Sequence, residues 1–447
     1  MRDMIFACLV LLIALPVTAA EPSVPLQVTE PAGLARVNAP VTGGVPVGPL
    51  GAKSAGELVL ADEEGKAVPA QVSPMVRAED GRLLWVLVDT QVDLPARGAA
   101  TFSLRRRRPA DPPAAGPADH GLRINGRPAA DAIADLTEVL RARTLTLSNG
   151  LVQIELSPER FNLFENVWAD ADGDGRFADD EKLLDPSRPE PPKGETTMPG
   201  AGVIPALSVH RPDPNAVYST RFGKADKVAF EDAGPFRTTV RLDGTYGRGK
   251  GDRWLGWTCR VTMWAGRRDV RVLYALRNVN PKLRQQEKVK RATLRLRLAG
   301  TNGSANYLLG AADVRMSRVT KSAKQTPKGS QWHSRVVLEQ VGPCEAVCGK
   351  SHRRFHHLVN YRTAGYRVLQ DQPSGRMPVA DVGFECDGWL ALDGGRGSAL
   401  VWLRNFTRDN PKRVEAVHAG TITLDLIPPD DGSPQPYYSK GGYWLGD

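Results

Sequence analysis

Cysteine is scarce, with five in 447 residues: Cys8, Cys259, Cys344, Cys348 and Cys386. A zinc site needs a second Cys/His pair at ligand spacing, and Cys344 and Cys348, with three residues between them, have none. A small disulfide loop between those two is the reading favoured in an oxidising compartment. Long apolar runs are missing too. Beyond Ala20 no stretch approaches the roughly 20 apolar residues that a membrane-spanning helix requires. Convincing helical periodicity is confined to residues 131–141, where Asp135 and Glu138 oppose Arg141 and Arg143, so an α/β or helical architecture is excluded. Internal repeats, a phosphate-cradling glycine loop and a Ser/His/Asp arrangement are absent. So is any pair of carboxylates placed as in a glycosidase. No nucleic-acid module or aromatic-interleaved basic patch appears, which removes nucleic acid as the expected partner.

What the chain does contain begins with an export signal at 1–20. Arg2 supplies the positive start, residues 5–15 the apolar segment, and Thr18, Ala19 and Ala20 the small-residue cleavage site. The expected location is secreted, or the periplasm and cell envelope. Cys8 leaves with the signal. The remaining length exceeds one ordinary domain and suggests two or three.

Short apolar or alternating runs at 56–60, 67–72 and 83–88, separated by turn-rich segments, read as a small β-barrel over 21–105. Then come Arg105, Arg106, Arg107 and Arg108, followed by Pro109, Pro112 and Pro113, which reads as a solvated, stiff linker over 106–120. The rest, 121–447, reads as a large antiparallel β-sandwich. Residues 144–156 alternate on either side of Asn149-Gly150, the strongest two-residue hairpin signal. Residues 185–215 are proline-rich and read as a long surface loop. Alternation then returns at 236–242, 259–264, 270–276, 292–298, 336–340, 390–392, 399–403 and 421–427. The fold class expected is therefore all-β, a small barrel followed by a sandwich.

Inside the second part, residues 170–181 match a twelve-residue calcium loop. Asp170, Asp172 and Asp174 fill positions 1, 3 and 5, Gly175 is at 6, Phe177 is the apolar residue at 8, and Glu181 closes at 12. Ca²⁺ seeks six to eight oxygens, and alternate residues of a tightly turning loop point inward together. The backbone carbonyl of Arg176 is the expected ligand at position 7. Preceded by a hairpin instead of a helix, the ion is expected to be structural.

Net charge is +9, largely from arginine, which suits acidic partners such as uronate-bearing polysaccharides. The segment His352, Arg353, Arg354, His356, His357, Tyr361 and Arg362 gathers groups able to contact such a substrate. Trp254, Trp257, Trp264, Trp332 and Trp389 offer faces for sugar stacking, although rings in a sandwich more often fill its core.

Several motifs in preserved order resemble a family of exported β-rich proteins that includes exo-acting rhamnogalacturonan lyases. They are residues 30–41, 68–71, 84–89, 149–151, the aspartate-rich loop after Trp168, 387–389, 404–406 and 410–412. The resemblance implies a RIFT-type N-terminal barrel, a central β-sandwich and a C-terminal α/α toroid. The sequence stops about where the toroid would begin, so the expected role is that of the non-catalytic β-domains. These would engage acidic, pectin-like glycan alone or beside a separately encoded α/α toroid. The alternatives are an active polysaccharide lyase working by β-elimination on the sandwich, and a calcium-stabilised structural protein of the envelope.

Overall fold

The structure is a computed structural model. It describes residues 21–113, 116, 121–132, 143–184, 207–211, 216–222, 225–248, 251–279, 287–301, 306–310, 319–320, 335–341, 365–370, 379–383, 386–393, 396–404, 406, 412–417, 420–427 and 443–445. All-β architecture is what it shows, with antiparallel pairing throughout. The chain divides into two compact units between Gly116 and Pro117.

The first unit has two small sheets. One carries Ser23–Thr29, Ala99–Arg106, Leu58–Ala61 and Ala67–Val68 in that order; the other carries Arg36–Pro46, Leu83–Leu94 and Gln71–Arg77. Their inward residues, among them Val45, Leu58, Leu60, Leu83, Val86 and Leu104, form one apolar interior. The strand from Leu83 runs on past the apolar stretch that marks it in sequence, ending at Leu94. It does so because Asp89 and Thr90 are buried with partners. Asp89 accepts from the Thr42 hydroxyl at 2.5 Å, and Thr90 donates to the Pro69 carbonyl at 2.8 Å. Glu30 ties the first strand to its turn. Its carboxylate accepts backbone N–H bonds from Ala32, Gly33, Leu34 and Arg97 and pairs with Arg36 at 3.1 Å. Burial opposes its charge, and those donors outweigh burial, so its pKa falls to about 2.

The arginine run corrects its sequence reading. Arg105 is 4 % exposed and grips Asp111 with two bonds of 2.7 and 2.8 Å while also donating to the Gly65 carbonyl. Arg106 pairs with Glu57 at 2.6 Å and Arg108 with Glu21 at 2.8 Å. The Arg107 N–H donates to the Glu57 carbonyl at 2.7 Å. The Arg105 fork holds the Asp111 carboxyl well below the usual carboxylate range. Four like charges extend and solvate a chain only where no acceptors meet them, and here each arginine has a partner. Residues 114–115 and 117–120 of the expected linker lie outside the described residues.

The second unit is built on a twelve-stranded and a six-stranded sheet. The six-stranded sheet runs Lys182–Leu184, Asn166–Ala169, Val152–Leu156, Leu145–Ser148, Arg123–Ile124, Arg127–Pro128. The largest sheet includes the long hairpin Arg237–Arg248 and Asp252–Trp264, with Val270–Arg277 at one edge. A continuous core joins the two, holding Leu145, Ile154, Phe161, Val240, Trp257, Leu294, Leu338 and Leu424. Trp257 stacks on Phe161 with centroids 4.5 Å apart, and Trp254 is also buried, so neither ring is free for a sugar. Trp264 and Trp389 are half-buried, and Trp332 lies outside the described residues.

Two further readings change, and a third lies mostly outside the described residues. Leu207–His210, expected to lie in a surface loop, is a strand paired on both sides; its short length suffices once flanking strands exist and Leu207 and Val209 face the core. Only one helical turn, Ala129–Ala132, precedes residues 133–142, which lie outside the described residues. The hairpin at 145–156 turns one residue later than Asn-Gly suggests. The Asn149 N–H donates to the Val152 carbonyl at 3.2 Å, which leaves Gly150 and Leu151 as the central pair. Of these two only Gly150 has positive φ, at 78°. That is the pattern of a II′ turn, which wants glycine first. Asn149 is instead fully buried and works as a clasp. Its Nδ2 donates to the carbonyls of Trp264 (2.8 Å) and Arg267 (2.6 Å), and its Oδ1 accepts from Leu151 and Val152. Cys259 and Cys386 are buried free thiols, whereas Cys344 and Cys348 lie outside the described residues.

Candidate metal centre

The acidic loop 170–181 connects two paired strands, Asn166–Ala169 and Lys182–Leu184, so it is the closing segment of a β-hairpin. Trp168 and Lys182 face each other across that pair, with the ammonium 5.9 Å from the ring centroid, within cation–π range. Asp170 is buried at the loop's entrance, while Asp172 and Asp174 are exposed.

Local hydrogen bonds shape the turn. Asp170 accepts from the N–H groups of Gly173 (2.7 Å) and Gly175 (3.1 Å), Asp172 from Asp174 (3.1 Å), and Asp174 from Arg176 (2.7 Å). Gly173 and Gly175 both take positive φ, 81° and 74°. Without a Cβ to clash, the chain can curl there around its own side chains. Glu181 reaches back across the loop. Its two oxygens accept from Ala171 (2.6 Å) and Ala178 (3.0 Å), bringing position 12 beside position 1.

The result is a convergence of like charge. One oxygen from each of Asp170, Asp172 and Asp174 lies within 4.8 Å of the others. Among the described residues no arginine or lysine forms an ion pair with these aspartates or with Glu181. The donor set is all oxygen and anionic, which fits a hard divalent cation such as Ca²⁺ and is wrong for softer, sulfur-seeking metals. Burial resists the charge of Asp170, but the N–H bonds of Gly173 and Gly175 prevail and lower its pKa. For Glu181 the Ala171 N–H is the leading cause of a lowered pKa, with Asp170 opposing it. Both stay ionised at neutral pH. Asp170, Asp172 and Asp174 therefore meet around one point, while Glu181 is held by the Ala171 and Ala178 N–H groups at the loop's closing end.

The second sequence-level site does not enter the description. His352, Arg353, Arg354, His356, His357, Tyr361 and Arg362 all lie outside the described residues. What the sheet assembles instead is a charged ladder that sequence reading missed. On the face opposite the core, register places Arg291 and Thr293 beside Asp425, then Arg413 and Glu415, then Arg335 and Glu339, then Arg367. Asp425 is fully buried, held by Arg291 at 2.9 Å and the Thr293 hydroxyl at 2.8 Å. Glu415 takes two bonds from Arg335 (2.6 and 2.9 Å) and one from Arg413 (3.1 Å), and Glu339 pairs with Arg367 at 2.5 Å. With Arg295 on the same face, five arginines meet three carboxylates among the described residues. His210 pairs with Arg291 at its margin; burial first, then Arg291 and Arg295, push its pKa down to about 4. The signal was present as alternation of charge with apolar residues at 291–297, 413–417 and 421–427. Which charges would face one another was not.

Residues 196–287 match the family model described as the PcRGLX-like protein central beta sandwich domain. The matched span holds the strands from Leu207–His210 to Val270–Arg277, one half of the largest sheet, and places His210 beside Arg291 at the ladder's margin. At this level the chain is similar to a rhamnogalacturonan lyase-like β-sandwich. No curated protein matches the chain.

Proposed function

We propose that this chain is an exported, calcium-stabilised protein that engages acidic, pectin-like polysaccharide through the β-domains of a rhamnogalacturonan lyase-like architecture. The observation that carries the reading is the coincidence of two things on one sheet. Half of that sheet matches a lyase-like sandwich family, and the other half bears a face where, among the described residues, arginines outnumber carboxylates. An excess of arginine over carboxylate on a face draws uronate carboxylates toward it.

Calcium's part is structural. Bound, the ion supplies a positive centre that offsets the repulsion among the loop's carboxylates. The chain's own residues do the rest: Asp170 anchors the turn from its buried position, and Glu181 clamps the loop's end to its beginning. Two strands of the six-stranded sheet are thereby closed at one end.

A second reading, an active lyase, is favoured by one feature. β-Elimination needs a neutral base beside a cation that offsets the substrate carboxylate. His210, held neutral beside Arg291 and Arg295, is such a pair, although a pKa near 4 makes the imidazole a weak base. The test is incubation of purified 21–447 with rhamnogalacturonan, following unsaturated-uronate absorbance and binding together. Binding that weakens with salt, without absorbance change, is the expected outcome. Robust product formation would replace it with the lyase reading, and absence of binding would remove the glycan assignment.

A further inference from the structure

Beside the acidic loop is a cleft of about 340 Å³, near the lower end of the size of small-molecule sites. Three separate pieces of the second unit wall it: the entry to the strand Arg123–Ile124, the hairpin turn at Asn149 and Gly150, and Gly175 with Phe177 of the loop. We propose that this cleft binds one carboxylate-bearing sugar unit, with Arg123 receiving the carboxylate and the loop's cation fixing one wall. The proposal rests on the acidic-glycan and calcium readings above and gives them a location that neither requires.

The cleft has the mixed character a sugar ring needs. Buried Leu122 and half-buried Phe177 offer apolar surface to ring C–H groups, while Ser148 and exposed backbone serve hydroxyls. Gly150 and Gly175, both at positive φ, present no side chain, so a ligand can approach their peptide groups closely. Arg123 supplies the charge. It is exposed, its Nη1 donates only to the Gly126 carbonyl at 3.0 Å, and it has no carboxylate partner among the described residues. That sets it apart from the ladder arginines, which are already engaged with Glu339, Glu415 and Asp425. The back of the cleft is rigid because the Asn149 side chain is fastened to the carbonyls of Trp264 and Arg267.

The front wall is the conditional part. Gly175 and Phe177 bracket Arg176, whose N–H is held by Asp174 and whose carbonyl the loop pattern assigns to the ion. An ion that fixes residue 176 also fixes the two residues lining the cleft. Sugar and cation then strengthen each other's binding by the same factor, as linkage demands.

Calorimetric titration of the full chain with monomeric galacturonic acid, in saturating Ca²⁺ and again in chelator, tests this. Expected are measurable binding in Ca²⁺, a loss of about tenfold or more in chelator, and no binding of neutral galactose. Arg123→Gln should lose about tenfold or more and Arg123→Glu should abolish binding, with melting curves unchanged because the side chain is exposed. If rhamnogalacturonan binds the chain but neither Arg123 variant weakens galacturonate or polymer binding, the cleft assignment is wrong and the broader glycan reading stands. Equal galacturonate affinity with and without Ca²⁺ would overturn the coupling. If no acidic glycan binds at all, both readings fall together.

Discussion

The acidic loop and the arginine ladder are both clusters of charge, and they solve opposite problems. The loop gathers carboxylates from one short contiguous segment, leaves most of them exposed, and among the described residues pairs none of them with a cationic side chain. The ladder gathers residues from strands far apart in the chain, buries its acids, and pairs each acid with an arginine. Repulsion within the loop makes a binding site for something that comes from outside. Attraction within the ladder makes a face whose geometry is set before anything arrives. Uncompensated charge therefore marks the loop as the place where an added ion changes stability, and the ladder as the place where a deletion does.

The largest effect should come from breaking the ladder. Asp425→Ala leaves Arg291 and Arg413 without their buried acid. It should cost about 3–5 kcal/mol, read from urea unfolding. A loss below about 1 kcal/mol would mean that the pair is as weakly coupled as an exposed ion pair. Replacing several ladder charges together by apolar residues of similar volume should cost far less, since no orphan charge remains.

Next in size is the loop. Ca²⁺ at a hundredfold excess over its Kd should add about 2.7 kcal/mol and raise Tm. Asp172→Ala with Glu181→Ala should abolish that rise. An identical melting curve with and without chelator would remove the ion from the account.

The smallest effect concerns the ladder's margin. The folded pKa of His210, about 4, lies below its ordinary value of about 6.5. The unfolded chain thus takes up the proton first as pH falls. Stability from this group is full above pH ~6.5 and is lost as pH drops toward 4, by about 2 kcal/mol once partial exposure is allowed for. His210→Gln should flatten that part of the stability–pH curve; an unaltered slope would place the pH response elsewhere.

Much of the fold could be read before any coordinates. The runs at 83–88, 270–276, 336–340 and 421–427 fall in observed strands, and that at 292–298 does so up to Arg297, because period-two alternation survives wherever one face is buried. Readings failed where a polar side chain found a partner that composition and alternation do not show. Asp89 and Thr90 extend a strand that composition would end, Asp111 turns an arginine run from tether to clasp, and Asn149 moves a turn by one residue.

The sequence alone determined the oxygen-rich loop, since its ligands, its glycines and its spacing are contiguous and need only local turn chemistry. It also determined the alternation that makes this chain a stack of antiparallel strands. Tertiary structure alone decided which charges meet, because register between strands separated by long intervals sets whether Arg291 faces Asp425 or water. It alone placed Arg123, Gly150 and Phe177 around one cleft, since three segments of a sheet become neighbours only when a shared core brings them together.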